Sequence, residues 1–205
     1  SFPIFAFMIA EGCRYTRNKL KHFLMIFGLG VICQLAYIVT DPESGLSYMN
    51  ILITFSFSII TIYCLQLFKK QIFSENKSVM KILGAALLFL ASVIGVYIFE
   101  SIIDIDYGFC GAMLPVFASL FMFDPNSSIP VQKKLDKNFI HVICLTLGLA
   151  VLFFESQNVF KYYALIAILP LLFYSGRKGR LNTKYFFYIF YPAHLVILYG
   201  ISYIM

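Results

Sequence analysis

The 205-residue sequence predicts an all-α, polytopic transmembrane bundle of about seven spanning helices plus an N-terminal partial span. Three observations predict it. Hydrophobic residues make up 60% of the chain and charged residues 13%, against about 45–50% and about 25% in soluble domains. The charges fall between long uncharged stretches rather than along them. The cations are confined to alternate connections. With a mean hydropathy of +0.84, too little polar side chain remains to coat a soluble globule. A disordered chain, a disulfide scaffold and a collagen-like repeat are excluded on the same grounds. Residues 1–205 read as a single integral membrane domain.

A spanning helix needs about 20 mostly apolar residues. His22–Thr40, Asn50–Phe68, Ile82–Phe99, Tyr107–Phe123, Asn138–Phe154, Tyr162–Tyr174 and Tyr185–Met205 contain no Asp, Glu, Lys or Arg. The sixth is short and is expected to begin nearer Asn158. Strands cross membranes only as closed barrels that alternate apolar with polar residues. Stretches such as Ile82–Phe99 are apolar on every face, so helices are expected. The connections are short and rich in turn formers (Asp41-Pro42, Asp124-Pro125-Asn126, Gly176). That favours an up-and-down order with antiparallel neighbours.

An eighth apolar run, Ser1–Ala10, would rise only about 15 Å, half of the hydrocarbon core. The expectation is a span completed by chain preceding Ser1. A half-span held by its neighbours and a cleaved leader are the alternatives.

The basic residues set the topology. Arg14, Arg17, Lys19 and Lys21 fall in the first connection; Lys69, Lys70, Lys77 and Lys81 in the third. Lys133, Lys134 and Lys137 fall in the fifth; Arg177, Lys178, Arg180 and Lys184 in the seventh. Lys161 alone lies in an even-numbered one. Asp41, Glu43, Glu100, Asp104, Asp106 and Glu155 show the opposite bias. Cytoplasmic loops carry the excess of Lys and Arg, so the odd connections are expected in the cytoplasm and the C-terminus outside. The net charge of +6 then reflects topology and anionic inner-leaflet lipid. Nucleic-acid binding would need a soluble basic surface, which this composition does not offer.

Five scattered cysteines without a CxxC pair read as small packing residues. His22, His141 and His194 are far apart, and no carboxylate lies three or four residues from any of them, so no metal is expected. His22 and His141 are expected near the cytoplasmic interface, solvated or snorkelling.

Two constellations carry chemistry. In a helix continued through Glu11–Asn18, the residues Glu11, Arg14, Tyr15 and Asn18 share one face. Glu11 is the only acid inside an apolar run, and Arg14 is spaced to pair it. A structural pair at a helix end and a cytoplasm-facing anion site are both open readings, since Arg offers a planar fork suited to phosphate. In the last stretch, His194 lies about 14 Å deep at helical rise, with Tyr188 and Tyr191 on a similar face. Pro192 frees the Tyr188 carbonyl and should kink the helix. A packing role and a functional one are both open for His194. Asp104-Ile105-Asp106-Tyr107-Gly108 and Asn50, both at outer helix starts, are explained as well by capping and the helix dipole.

The run Ser1-Phe2-Pro3-Ile4-Phe5-Ala6-Phe7-Met8-Ile9-Ala10-Glu11-Gly12-Cys13-Arg14-Tyr15-Thr16-Arg17-Asn18 resembles the opening motif of the TraX family. Asp106-Tyr107-Gly108 with Gly111, and Tyr185-Phe186-Phe187-Tyr188-Ile189-Phe190-Tyr191-Pro192-Ala193-His194-Leu195, agree with it in order and spacing. Asn50-Ile51-Leu52-Ile53-Thr54-Phe55 is a weaker fourth match. The resemblance runs from end to end. It implies a multi-pass protein of the bacterial inner membrane that acetylates an amine or hydroxyl, the pilin N-terminus among the acceptors, from cytoplasmic acetyl-CoA. The family usually starts with a further helix carrying an Asp-His pair, so the principal base is expected to precede Ser1. Cys13 stands where the family often has an aromatic residue.

On that resemblance, Arg14, Arg17 and Asn18, with Arg180 and Lys184, would hold the coenzyme A phosphates, and Glu11 would orient Arg14. His194 and Tyr191 would assist proton transfer or hold the thioester carbonyl, while Asn50, Asp106 and Tyr107 would shape the acceptor end. The alternative is a non-enzymatic assembly or transport component of a conjugation or pilus system. Broken helices and a midplane His suit a transporter, but the two related halves expected of one are missing.

Overall fold

The computed structural model describes residues 2–40, 45, 47–74, 78–155, 159–176, 193 and 197. Eight α-helices are described: α1 (Phe2–Tyr15), α2 (Lys19–Thr40), α3 (Ile51–Ile72), α4 (Val79–Glu100), α5 (Gly108–Ser119), α6 (Pro130–Leu135), α7 (Asn138–Glu155) and α8 (Ile168–Leu172). A 3-10 helix, Val159–Ala167, leads into α8. Three of these helices, α2, α3 and α4, are long and apolar enough to cross a membrane. The predicted seventh span, Tyr185–Met205, lies almost wholly outside the described residues.

The helix order is up-and-down, as the short connections require. His22 meets Tyr63 while Gln34 meets Asn50, so α2 and α3 are antiparallel. His141 meets Phe121 while Gly148 meets Leu114, so α5 and α7 are antiparallel too. The helices α1, α3 and α5 run the same way and form the core. Phe2 stacks on Tyr107 beside the start of α5, and Arg14 reaches the Phe123 carbonyl beyond its end. Phe2, Pro3, Ala6, Phe7, Ala10, Glu11 and Cys13 of α1 are buried. In this fold α1 is therefore an interior helix enclosed by α3, α5 and the α8 region rather than a lipid-facing one. By contrast α4 buries only Val96; its exposed Leu, Ile and Tyr side chains are those of a helix bathed in lipid.

Two differences from the sequence expectation have physical causes. First, α5 has 12 residues, about 18 Å at helical rise, although the uncharged stretch around it is longer. Side chains from three other elements capture the carbonyls just beyond Ser119, and the backbone unwinds to meet them. Inside α5, Pro115 cannot donate to the Gly111 carbonyl, and Ser58 Oγ donates to the adjacent Ala112 carbonyl at 2.6 Å. Second, the short sixth stretch gains length through its nine-residue 3-10 segment, which rises about 2.0 Å per residue against about 1.5 Å in an α-helix.

A short strand pair was not predicted. Tyr48–Met49 and Asp104–Ile105 pair in parallel, tying the second connection to the fourth. The first, third and fifth connections meet at the opposite end of the bundle. By the expectation from the basic residues, the strand pair marks the outer end and the basic connections the inner end.

Candidate functional site at the inner end of the bundle

The inner site is built on a helix end that needs donors. The last carbonyls of α5 have no intrahelical partner and carry its negative dipole end. Lys69, from the last turn of α3, places Nζ 2.8 Å from the Ser119 carbonyl, 2.6 Å from that of Met122 and 3.5 Å from that of Leu120. His141 Nε2 lies 3.2 Å from the Phe121 carbonyl, and Arg14 Nε donates to that of Phe123 at 3.1 Å. Five successive carbonyls are thus met by three basic side chains.

Arg14 is the hub. Its Nη1 donates to Glu11 Oε1 at 3.3 Å and its Nη2 to Asp136 Oδ2 at 2.5 Å. The pairing with Glu11 is the one that the i, i+3 spacing predicted. Asp136 Oδ1 sits 3.0 Å from His141 Nε2, which therefore faces both this carboxylate and the Phe121 carbonyl. Tyr174 Oη donates to Glu11 Oε2 at 3.4 Å, and its ring meets Phe7 edge-on. Glu11 and His141 are buried, so an isolated charge here would be costly and the mutual pairing keeps it tolerable.

Beside the network lies a cavity of about 540 Å³, lined by residues of α1, the start of α2, the end of α3 and the segment 122–132. Arg14, Lys19, Lys69 and Lys70 line it, with Asp124 the one carboxylate among its described residues. A second cavity of about 430 Å³ adjoins it across Thr16 and holds Arg17, Asn18, Lys21 and His22.

The structure divides the predicted site residues into three groups. Glu11, Arg14, Arg17 and Asn18 are at the inner end. Arg17 and Asn18 line the second cavity rather than the first, and Asn18 Oδ1 accepts from the Lys21 N–H as the cap of α2. Asn50, Asp106 and Tyr107 gather at the outer end, at least about 18 Å from Arg14 along α1. Tyr191, His194, Arg180 and Lys184 lie outside the described residues.

At the outer end each residue has a structural task. Asn50 Oδ1 accepts from Leu52 N–H at 2.9 Å, while Nδ2 donates to the Gly30 carbonyl and to Gln34 Oε1. Asp106 accepts from Tyr48 Oη at 2.6 Å, and its carbonyl accepts from Thr54 Oγ1 at 3.4 Å. Desolvation raises the Asp106 pKa. Tyr107 has a left-handed backbone, φ 61°, which a bulky residue adopts only under constraint. Its ring stacks on Phe2 at 3.9 Å, and a Cβ at Gly111 would lie 2.3 Å from Tyr107 Cβ. The Asp-Tyr-Gly block and Gly111 thus specify one strained turn.

The sequence reading missed Asp136, Tyr174 and the capping role of Lys69; His141 is at the expected end but is 2% exposed rather than solvated. The available signal was Asp136 itself, an acid set among Lys133, Lys134 and Lys137 and five residues before His141. Among the described residues, no three His, Cys, Asp or Glu side chains form a metal-binding group.

An all-helical bundle with three lipid-length apolar helices and a buried ion-pair network at one end defines a polytopic membrane protein. The chain belongs to the TraX family, whose sequence profile matches residues 1–202. No curated protein and no solved structure matches it.

Proposed function

We propose that this protein is a membrane-embedded acetyltransferase of a conjugation or pilus system in the bacterial inner membrane. It takes acetyl groups from cytoplasmic acetyl-CoA and passes them to an amine or hydroxyl, with a pilin N-terminus as the favoured acceptor. One observation carries this reading: the cavity of about 540 Å³ bordered by Arg14, Lys19, Lys69 and Lys70. Its volume falls within the range of about 300–1,000 Å³ usual for small-molecule sites, and its excess of cations suits a polyphosphorylated donor. The odd-numbered connections that border it carry the cations expected on the cytoplasmic side, where coenzyme A is found.

The residues present divide the work by chemistry. Acetyl transfer breaks a carbon–sulfur bond, forms a bond from carbon to nitrogen or oxygen, and removes one proton from the acceptor. It therefore needs an anion site, a base and donors for a developing oxyanion. Lys19 and Lys70 supply the anion site. Glu11 and Asp136 hold Arg14 in a fixed position on its wall. In the adjoining cavity Arg17 extends the positive surface and Asn18 adds a neutral amide for the phosphates, with Arg180 and Lys184 as further candidates. His194 and Tyr191 remain the candidates for proton transfer inside the membrane. Asn50, Asp106 and Tyr107 frame the acceptor side through the rigid outer turn.

The test is incubation of the purified full-length protein with acetyl-labelled coenzyme A and a pilin-like acceptor. Label on the acceptor supports the reading; a protein that binds the acceptor without transferring label is an assembly component instead.

A further inference from the structure

Among the described residues the cavity has four cationic side chains, but they are not equivalent. Arg14 spends Nε, Nη1 and Nη2 on the Phe123 carbonyl, Glu11 and Asp136. Lys69 turns its ammonium to the carbonyls of Ser119, Leu120 and Met122. An ammonium has three protons to donate, so Lys69 has none to offer a ligand. Both residues are half-buried and hold the fold together.

Lys19 and Lys70 differ from them. Both are exposed and both line the cavity. Lys19 opens α2 and Lys70 stands in the last turn of α3, so together they straddle the mouth between two helices. Lys19 Nζ lies over the Tyr63 ring, 4.9 Å from its centroid. Asp124, the one acid among the described residues of the wall, accepts from the Asn126 N–H in its own turn. Two like charges facing one cavity are unfavourable until an anion lies between them.

We propose that the inner cavity is a phosphate site whose direct contacts are made by Lys19 and Lys70, with Arg14 and Lys69 as the fixed wall behind them. The ligand chemistry is a phosphate mono- or diester carried by a larger molecule. The acetyl-CoA reading names its bearer as the nucleotide end of coenzyme A, and the inference rests on that reading for the bearer alone. An anionic lipid headgroup is the other source of the same chemistry.

The experiment measures binding of coenzyme A, 3′-dephospho-coenzyme A and phosphatidylglycerol vesicles to the full-length protein in neutral-lipid nanodiscs or detergent. The variants are Lys19→Gln, Lys70→Gln and, as an exposed cation away from the cavity wall, Lys133→Gln. Loss of one charge-assisted contact should weaken coenzyme A binding about tenfold for each of the first two, and Lys133→Gln should leave it unchanged. Lys19→Arg and Lys70→Arg should restore binding, which separates a charge contact from a packing defect. Tighter binding of coenzyme A than of its 3′-dephospho form, lost in the two Gln variants, supports the nucleotide as bearer. A twofold or smaller effect of both Gln variants on every probe overturns the phosphate site, whether or not the protein transfers acetyl groups. If coenzyme A does not bind but vesicle binding falls in both Gln variants, the phosphate site stands with lipid as its bearer, and the acetyltransferase reading fails.

Discussion

Arg14 Nη2 donates to Asp136 Oδ2 at 2.5 Å, across 122 residues of sequence. That contact fastens the last turn of α1 to the connection between α5 and α7. With Glu11, it leaves a half-buried guanidinium between two carboxylates. Removing one of them exposes the cost of the charge that remains.

Asp136→Asn should lower stability by about 2–3 kcal/mol, somewhat less than the 3–5 kcal/mol typical when a buried pair is broken, because Glu11 remains. Reversible unfolding in mixed micelles measures this. A double-mutant cycle with Arg14→Gln should return a coupling of at least about 1 kcal/mol.

Lys69→Met keeps the length of the side chain, strips the Met122 carbonyl of its side-chain donor and leaves the Ser119 carbonyl with the Met122 N–H alone. The expected loss is about 2 kcal/mol, with earlier hydrogen exchange at residues 119–123. Unchanged exchange there would mean that the carbonyls find other donors.

Asn50→Ala removes both the cap of α3 and the link to Gly30 and Gln34. A cap alone contributes about 1 kcal/mol, and the buried polar partners left behind bring the expected loss to about 2 kcal/mol. If acetyl transfer falls in this variant while unfolding is unaltered, Asn50 acts on the acceptor rather than on the fold.

Asp106 provides a pH prediction with a definite sign. Desolvation raises its folded pKa above the ordinary 3.8. Its protonated form is therefore the better accommodated one. The contribution of this group to stability is fully present below pH 3.8 and is lost as pH rises through the folded value. Asp106→Asn still accepts from Tyr48, so at pH 7 it should equal or exceed the wild type in thermal stability. The advantage should vanish at acid pH, which parallel melts at pH 4 and pH 7 would reveal.

Much of the fold was legible because membrane helices declare themselves through length and charge spacing. The up-and-down order, the Glu11–Arg14 pair and the grouping of odd connections at one end all follow from such local features. The short α5 was not legible, since what ends it is Lys69, His141 and Arg14 arriving from other parts of the chain. Asp136 was hidden for a similar reason: within a lysine-rich loop its charge reads as solvated, and only the fold brings Arg14 to it. Tyr107 looked like an acceptor-side residue, whereas its left-handed backbone and its stack on Phe2 became evident only in three dimensions. The sequence placed Arg14 and Arg17 together, and the structure sets them on neighbouring cavities.

Single-cysteine accessibility in intact cells tests the central claim most directly, in a background with the five native cysteines replaced. Arg17→Cys, Ser74→Cys and Asn126→Cys mark the first, third and fifth connections, and Asp104→Cys marks the outer end. The account predicts that an impermeant maleimide labels only the cysteine at 104 until the cells are opened, after which the other three react. Labelling of the sites at 17, 74 or 126 in intact cells would place the basic cavity on the wrong side of the membrane for coenzyme A.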